Sequence, residues 1–196
     1  MSQPTNNVRV RWTQKLLREA LIELIEEHGF DALTVGELTS RAMVSRAAFY
    51  RNYRDKYDLV EQIFDEIMIT LHGSVATMGS QQHPPQVWVR FFEHIEAYER
   101  LYRALLGSKG SPWFVRKIRS SLVELVKEHE HIPGGPHAAD WSAFTFPDTL
   151  VPDLVSTMLV EAVTWWLEQG RPYTPTEIAT RYARLASALF KEVRTW

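Results

Sequence analysis

The stretch from residue 34 to residue 59 restricts the fold of this 196-residue chain more than any other part of the sequence. Thr34 is followed by Glu37 at the spacing of a capping box, which marks the start of a helix. Apolar residues then recur at helical spacing, and Ser45 is a second N-cap candidate after a turn at positions 43 and 44. Two short helices joined by a tight turn are typical of a helix-turn-helix, whose second helix enters the DNA major groove.

The charge of this stretch agrees with a nucleic-acid contact. Between positions 41 and 56 five residues are basic, and Asp55 is the single acidic residue. Cations beside hydroxyl-bearing side chains supply the hydrogen bonds that phosphates accept. Because the net charge of the whole chain is −2, DNA binding has to be localised on one surface. A basic helix face that contacts only solvent is the simpler alternative.

The same segment resembles the DNA-binding domain of the TetR family of bacterial transcription repressors. The family pattern contains an apolar residue, an alanine, a Val-Ser pair after the turn, an aromatic-Tyr pair, a further aromatic residue, a lysine and a leucine. The matching positions here are Leu38, Ala42, Val44-Ser45, Phe49-Tyr50, Tyr53, Lys56 and Leu59. Family members usually have glycine in the turn, where this chain has Met43. If that position needs a positive φ, methionine costs roughly 1 kcal/mol or more.

The residue types and the resemblance together predict the DNA contacts. Arg46, Ala47 and Tyr50 are the candidates for the major groove, where an arginine can pair with guanine. The remaining predicted DNA-binding residues, most of which would hold phosphates, are Thr34, Ser45, Arg51, Tyr53 and Lys56. Lys56 lies in the first turn of a helix, where the helix dipole disfavours a cation, and a nearby phosphate would remove that conflict.

Hydrophobic periodicity predicts an all-α fold with a three-helix head and a helical-bundle body. A helix over residues 12–28, ended by Gly29, is expected to brace the helix-turn-helix. Further helices are predicted at about 55–74, 86–106, from 112, from 147 or 148 to 169, and from about 174 to 193, with an irregular loop over 129–146. The resemblance implies a DNA-binding domain over residues 9–55 and an effector-binding and dimerisation domain over residues 56–196.

The last two predicted helices carry apolar residues around much of their circumference. Small residues on the last helix allow close approach, so pairing across a two-fold axis would give a four-helix homodimer interface. The predicted interface residues are Val155, Leu159, Ala162, Trp166, Tyr182, Leu185 and Leu189. Packing within one chain is the alternative.

The body is rich in aromatic residues, which can line a cavity for a small apolar or aromatic effector. The bodies of the family commonly bind such molecules, but aromatic residues at helical spacing also build cores, so both interpretations stay open. The candidate effector-binding residues are Trp88, Phe92, His94, Tyr98, Tyr102, Trp113, Phe144 and Trp165.

Several classes of chemistry find no support in the sequence. There is no cysteine, and the histidines near position 130 match no strong metal-ligand spacing, so we expect no metal and no cofactor. No catalytic motif occurs, which predicts that the protein is not an enzyme. The first ten residues lack a signal-peptide core, and residues 151–167 are expected to be too short and too charged to cross a membrane. We therefore expect a cytoplasmic protein.

These observations predict a transcriptional regulator, most simply a repressor, that binds a palindromic double-stranded DNA operator as a homodimer and is released by an effector. A regulator of the same fold that acts through protein partners without reading DNA is the alternative, which Met43 favours. A ligand-binding or enzymatic helical bundle is a further competitor.

Overall fold

A computed structural model of the chain describes residues 4–75, 86–130 and 150–193. The described residues form nine helices and no strand, which confirms the all-α prediction. The helices are α1 (Pro4–His28), α2 (Val35–Arg41), α3 (Arg46–Tyr50), α4 (Lys56–Val75), α5 (Gln86–Ala97), α6 (Glu99–Leu106), α7 (Pro112–Glu130), α8 (Leu150–Glu168) and α9 (Pro175–Val193).

Two helix boundaries differ from the predictions. Helix α1 begins at Pro4 rather than at Trp12, and the helix predicted over residues 86–106 is broken at Tyr98 into α5 and α6. At the break, Arg171 donates a hydrogen bond to Glu96 at 2.6 Å and forms an ion pair with Glu99 at 3.0 Å, so one side chain from the α8–α9 turn contacts both flanking helices. Periodicity alone could not show this break because the apolar spacing continues through it.

The chain packs as two compact units, and we describe each separately. The first unit contains residues 1–66 and 100–112, and the second contains residues 67–99 and 113–196. The division therefore falls inside α4, whereas the predicted boundary lay at its start. Residues 100–112, which comprise all of α6 except Glu99, the α6–α7 loop and the first residue of α7, also belong with the first unit, which the sequence did not indicate.

The core of the first unit forms where α1 packs on α2 and α2 packs on α3. Its fully buried side chains are Leu17, Leu21, Ile25, Phe30, Leu38, Phe49 and Leu59. Burial of each such side chain contributes roughly 1.5–3 kcal/mol. Arg41 of α2 adds a polar link, because its guanidinium binds Glu27 of α1 at 2.7 and 2.8 Å and Glu23 at 3.1 Å. The hydrogen bond from Arg41 lowers the pKa of Glu27.

In the second unit α9 packs on α5 and on α8, and aromatic rings fill the space between them. Trp166 of α8 lies edge-on to Phe92 at 5.4 Å, and Tyr182 of α9 lies edge-on to Trp88 at 5.1 Å. The polar atoms of these two rings are satisfied, since Trp166 Nε1 donates to Tyr173 O at 2.8 Å and the Tyr182 hydroxyl donates to Val155 O at 3.3 Å.

Helix α8 has the length and apolar composition of a membrane span, contrary to the prediction that this segment is too short and too charged. Half of the apolar stretch is buried inside the structure, as in the core helix of a folded domain. Val155, Leu159, Val163 and Trp166 are all fully buried against neighbouring helices. Its apolar character is thus largely explained by packing.

Candidate nucleic-acid interface

Helix α2 begins with the predicted capping box. The Glu37 amide donates to Thr34 Oγ1 at 3.2 Å, and the Thr34 amide and hydroxyl donate to Glu37 Oε2 at 2.8 and 2.7 Å. These bonds lower the pKa of Glu37. Both donors of Thr34 are therefore engaged by a carboxylate, so a phosphate at this site would compete with Glu37.

The turn between α2 and α3 has the geometry that favours glycine. Met43 has φ 53°, in the left-handed region, and its side chain is 90% exposed. The Met43 amide donates to Ser40 O and the Val44 amide to Thr39 O, a Schellman-type end for α2. The suspected conformational cost of methionine is thus present, and no burial of its side chain compensates it.

Helix α3 separates its anchoring residue from its exposed face. Ser45 caps it, because its Oγ accepts from the Ala48 amide at 3.1 Å. Phe49 is fully buried, whereas Arg46, Ala47, Tyr50 and Arg51 are exposed. The structure therefore exposes all three predicted major-groove residues on one short helix, together with Arg51 at its C-cap.

Gly36 of α2, which sequence reasoning did not single out, lies beside Arg46. A Cβ added at Gly36 would lie 2.9 Å from an Arg46 guanidinium nitrogen, so the guanidinium lies over the start of α2 and this flexible group would have to shift if position 36 carried a side chain. A glycine inside a seven-residue helix, where other residues form helix better, was the available signal.

Tyr53 is not on the surface as predicted. It is only 4% exposed and lies against Phe49 with ring centroids 5.7 Å apart. Burial raises the pKa of its hydroxyl to about 12. Tyr53 therefore supports α3 from behind.

Lys56 also has partners other than the predicted phosphate. Its ammonium donates to the carbonyls of Phe30, Asp31 and Leu33 at 2.9, 2.9 and 2.8 Å. The same nitrogen lies 4.8 Å from the ring centre of Phe30, and burial lowers the pKa of the lysine. Three carbonyls use all three N–H donors, and they resolve the conflict with the dipole of α4 without DNA.

Pairing leaves few cations available in this segment. Arg41 binds two glutamates of α1, and Arg54 bonds to Asp58 at 3.1 Å. Among the described residues, Arg46 and Arg51 form no ion pair. The basic stretch therefore presents two unneutralised arginines, Arg46 at the start of α3 and Arg51 at its C-cap.

The candidate effector-binding residues fall into separate ring contacts. Phe92 packs on Trp166, Trp88 on Tyr182, and His94 on Tyr98 with centroids 4.6 Å apart. Trp113 packs on Phe114, Trp165 is 44% exposed beside Tyr173, and the buried Tyr102 belongs to the first unit. Phe144 lies outside the described residues. Ring-to-ring packing of this kind is found in a core as well as in a cavity wall, so both interpretations of these residues stay open.

The predicted interface residues divide into buried and surface groups. Val155, Leu159, Trp166 and Tyr182 are buried within the chain, so another protomer cannot reach them. Leu185 is 60% exposed, and Ala162 and Leu189 are partly exposed. The exposed large apolar residues that the prediction missed are Leu150, Leu154 and Trp165 of α8. Because apolar residues occur on all sides of α8, the sequence did not indicate which side is exposed to solvent.

Metal ligands are not assembled in the part of the chain that the structure describes. No group of three or more His, Cys, Asp or Glu side chains there could hold an ion. The histidine-rich loop after α7 lies outside the described residues.

Two family profiles match the chain. One is described as bacterial regulatory proteins of the tetR family and matches residues 17–63, from within α1 to within α4. The other is described as a transcriptional regulator C-terminal region and matches residues 82–188, more than half of the chain. Together they cover both the helix-turn-helix and the helices that follow it.

Individual relatives agree with these profiles. The chain is 25% identical over 85 residues to the transposon Tn10 TetC protein of Escherichia coli, 43% of each sequence. It is 33% identical over 57 residues to the uncharacterized HTH-type transcriptional regulator YvkB of Bacillus subtilis, 29% of this chain and 30% of that protein. The similarity thus spans less than half the length of either curated relative.

Solved structures match over nearly the whole chain. A putative TetR-family regulator from Syntrophomonas wolfei has a TM-score of 0.61 at 12% identity, covering 94% of this chain and 95% of its own. A TetR regulator from Streptococcus agalactiae has a TM-score of 0.56 at 20% identity, covering 93% and 97%. At such identities the likeness concerns the fold.

Proposed function

The chain belongs to the TetR family of bacterial regulatory proteins, and from this premise we propose that it is a repressor that binds a palindromic operator as a homodimer. The family consists of DNA-binding transcriptional regulators and not of enzymes. The observation that carries the proposal is the exposed surface formed by α3 and its C-cap, where Tyr50 lies with Arg46 and Arg51, two arginines without ion-pair partners in the described chain.

The proposed contacts follow from exposure and from the donors that remain available. Arg46, Ala47 and Tyr50 read base edges, with the Arg46 fork suited to guanine. Arg51 and the Ser45 hydroxyl hold phosphates, and Thr34 does so only if Glu37 yields its hydrogen bonds. Tyr53 and Lys56 are left out of the contact set because both are committed inside the fold.

Dimerisation is proposed through the exposed apolar side chains of α8 and α9. Leu154 and Trp165 of α8 and Leu185 of α9 are 47%, 44% and 60% exposed. A two-fold axis through such a surface would bury it against its own copy. The dimer must place its two α3 helices about 34–36 Å apart to reach successive major grooves.

The effector is proposed to be small and apolar or aromatic, because aromatic rings of α5, α8 and α9 pack on one another in an apolar core of the second unit. It releases the operator only if it binds the released state more tightly than the DNA-bound state. The proposed division of labour places DNA reading in residues 9–55, effector binding and dimerisation in residues 56–196, and the protein in the cytoplasm with its operator.

The test is DNA binding by the purified protein across a salt series, with its own promoter region and a random duplex compared. We expect tight, sequence-dependent binding that weakens steeply with salt, and we expect Arg46→Ala with Tyr50→Ala to abolish it without unfolding the protein. Equal, weak binding to both duplexes would contradict the proposal.

The dimer has its own test. Leu154→Glu with Leu185→Glu should convert the dimer into a folded monomer in sedimentation experiments and lower operator affinity. The matched control is Ile69→Glu on α4, an equally drastic change at a residue that is 73% exposed. A dimer that survives the first pair of substitutions would place the interface elsewhere.

One observation favours a second candidate function, regulation through a protein partner without operator reading. Met43 places an exposed apolar side chain in the turn that precedes α3. If the promoter and the random duplex bind equally weakly, this candidate replaces the repressor.

A further inference from the structure

Two lysines from distant parts of the sequence hold the end of α1 and the connection that leads to α2. Lys56 donates to three carbonyls of this connection, at residues 30, 31 and 33. Lys109 donates to the carbonyls of Glu26 at 3.0 Å and Glu27 at 3.2 Å, in the last turn of α1. Two ammonium groups thus bind five carbonyls within eight residues. The C-terminal end of the α1 dipole favours the cation of Lys109, and the carbonyls of the connection favour the cation of Lys56.

The loop that carries Lys109 is fixed in shape. The backbone carbonyl of Lys109 accepts a hydrogen bond from the Phe30 amide at 3.3 Å. Lys109 therefore binds this region through both its main chain and its side chain. The Ser111 amide donates to Leu105 O at 2.9 Å and the Gly110 amide to Gly107 O at 2.8 Å. A Cβ at Gly107 would lie 2.7 Å from Arg103 O, and one at Gly110 would collide with Leu105 O, so both glycines are required by the turn.

Connectivity gives this contact its significance. Helix α6 begins at Glu99 in the second unit, and residues 100–112 belong to the first unit. Lys109, just beyond the end of α6, therefore binds the segment that leads into the capping box of α2. Lys56 binds the same segment from the first residue of α4.

We propose that Lys109 and Lys56 are positioning residues for DNA binding, which set the placement of α2 and α3 through the α1–α2 connection without touching DNA. The inference rests on the proposed operator binding. Lys109 links this connection to the α6–α7 loop, and Lys56 links it to the start of α4. Operator affinity then depends on both lysines although neither contributes a phosphate contact.

The test measures the affinity of Lys109→Met and Lys56→Met for the promoter duplex and the salt dependence of that affinity. The titrations are made under conditions in which each variant is fully folded. We expect each to weaken binding by about 5- to 20-fold, within the usual range of coupling between distant sites. The slope of log K against log salt should not change, whereas loss of a phosphate contact would make it shallower by about 0.9. Because both lysines hold one segment, the double variant should lose less than the product of the single losses.

The matched control is Lys15→Met, which also replaces one lysine by methionine. The Lys15 side chain lies on α1, is 62% exposed, and forms an ion pair with Glu19 at 3.9 Å. This variant should keep the affinity within about twofold. Lys109→Arg keeps a cation with several donors and should restore binding. If Lys109→Met does not fold, Lys109→Gln is measured in the same way.

Unchanged affinity in Lys109→Met or Lys109→Gln, while the unaltered protein binds its operator, would overturn the inference and leave the proposed function standing. A shallower salt slope would also overturn it, because the lysine would then be a phosphate contact. Failure of the unaltered protein to bind the promoter selectively would instead count against the proposed function.

Discussion

The outer face of α3 and the rear of the helix-turn-helix contain the same kinds of residue but use them differently. On the outer face, Arg46 and Tyr50 are exposed to solvent, and so is Arg51 at the C-cap of the helix. At the rear, Arg41 binds carboxylates of α1 and Lys56 binds backbone carbonyls, so their cations stabilise the fold. Counting the basic residues of the segment therefore overstates the number of cations available to phosphate. Only the contacts of each cation in the structure show which of the two roles it has.

The largest expected contrast is between adjacent aromatic residues of α3. Phe49→Ala removes a fully buried ring and should lower the free energy of unfolding by about 3–5 kcal/mol. Tyr50→Ala, at a residue that is 58% exposed, should change it by less than about 0.5 kcal/mol while weakening operator binding. Denaturant unfolding and DNA titration of both variants provide the test. Similar stability losses would show that α3 is not divided into a buried and an exposed face.

The next contrast compares two cations. Lys56→Met leaves three backbone carbonyls without their donor and should lower the free energy of unfolding by about 2–3 kcal/mol. Arg51→Met, at an exposed position, should leave stability within about 0.5 kcal/mol and make the salt slope of DNA binding shallower by about 0.9. The assignment of the two roles would be wrong if Arg51→Met destabilised the fold and Lys56→Met did not.

A smaller effect is expected in the turn that joins the two regions. Met43→Gly relieves a left-handed backbone conformation and should raise the free energy of unfolding by roughly 0.5–1 kcal/mol, with Ala47→Gly on the exposed face as a control that destabilises. Thermal unfolding measures both. Operator affinity that falls while stability rises would show that the Met43 side chain contacts DNA.

The smallest effect concerns pH at the rear of the motif. Hydrogen bonds from Arg41 to Glu27 and from Thr34 to Glu37 lower the pKa of each carboxyl below its value of 4.5 in the unfolded chain. Their contribution to stability is therefore complete above that value and is lost as pH falls through the lower folded pKa. Unfolding measured from about pH 6 down to pH 3 should depend less on pH in Arg41→Met than in the unaltered protein. Equal pH dependence would mean that the exposed pair adds nothing measurable.

Much of the first unit was predictable because its signals are local. The two N-caps and the capping box depend on residues three positions apart, and the structure contains all of them. A second capping box, between Thr174 and Glu177, likewise begins α9 where the sequence predicted a helix start. The family pattern also identified α3, because its aromatic anchor and exposed residues follow the helical period.

What required the tertiary structure depends on partners far along the chain. Lys56 binds carbonyls 23 to 26 positions away, and Lys109 binds carbonyls more than 80 positions away, so no local pattern could reveal either role. Tyr53 fits a surface contact by type, but packing buries it. In α8 the sequence determined an apolar helix, whereas the packing of its neighbours decided that Trp166 is buried and Trp165 exposed. Spacing along a chain determines which helices form, and only the packed structure determines which of their faces remain in water.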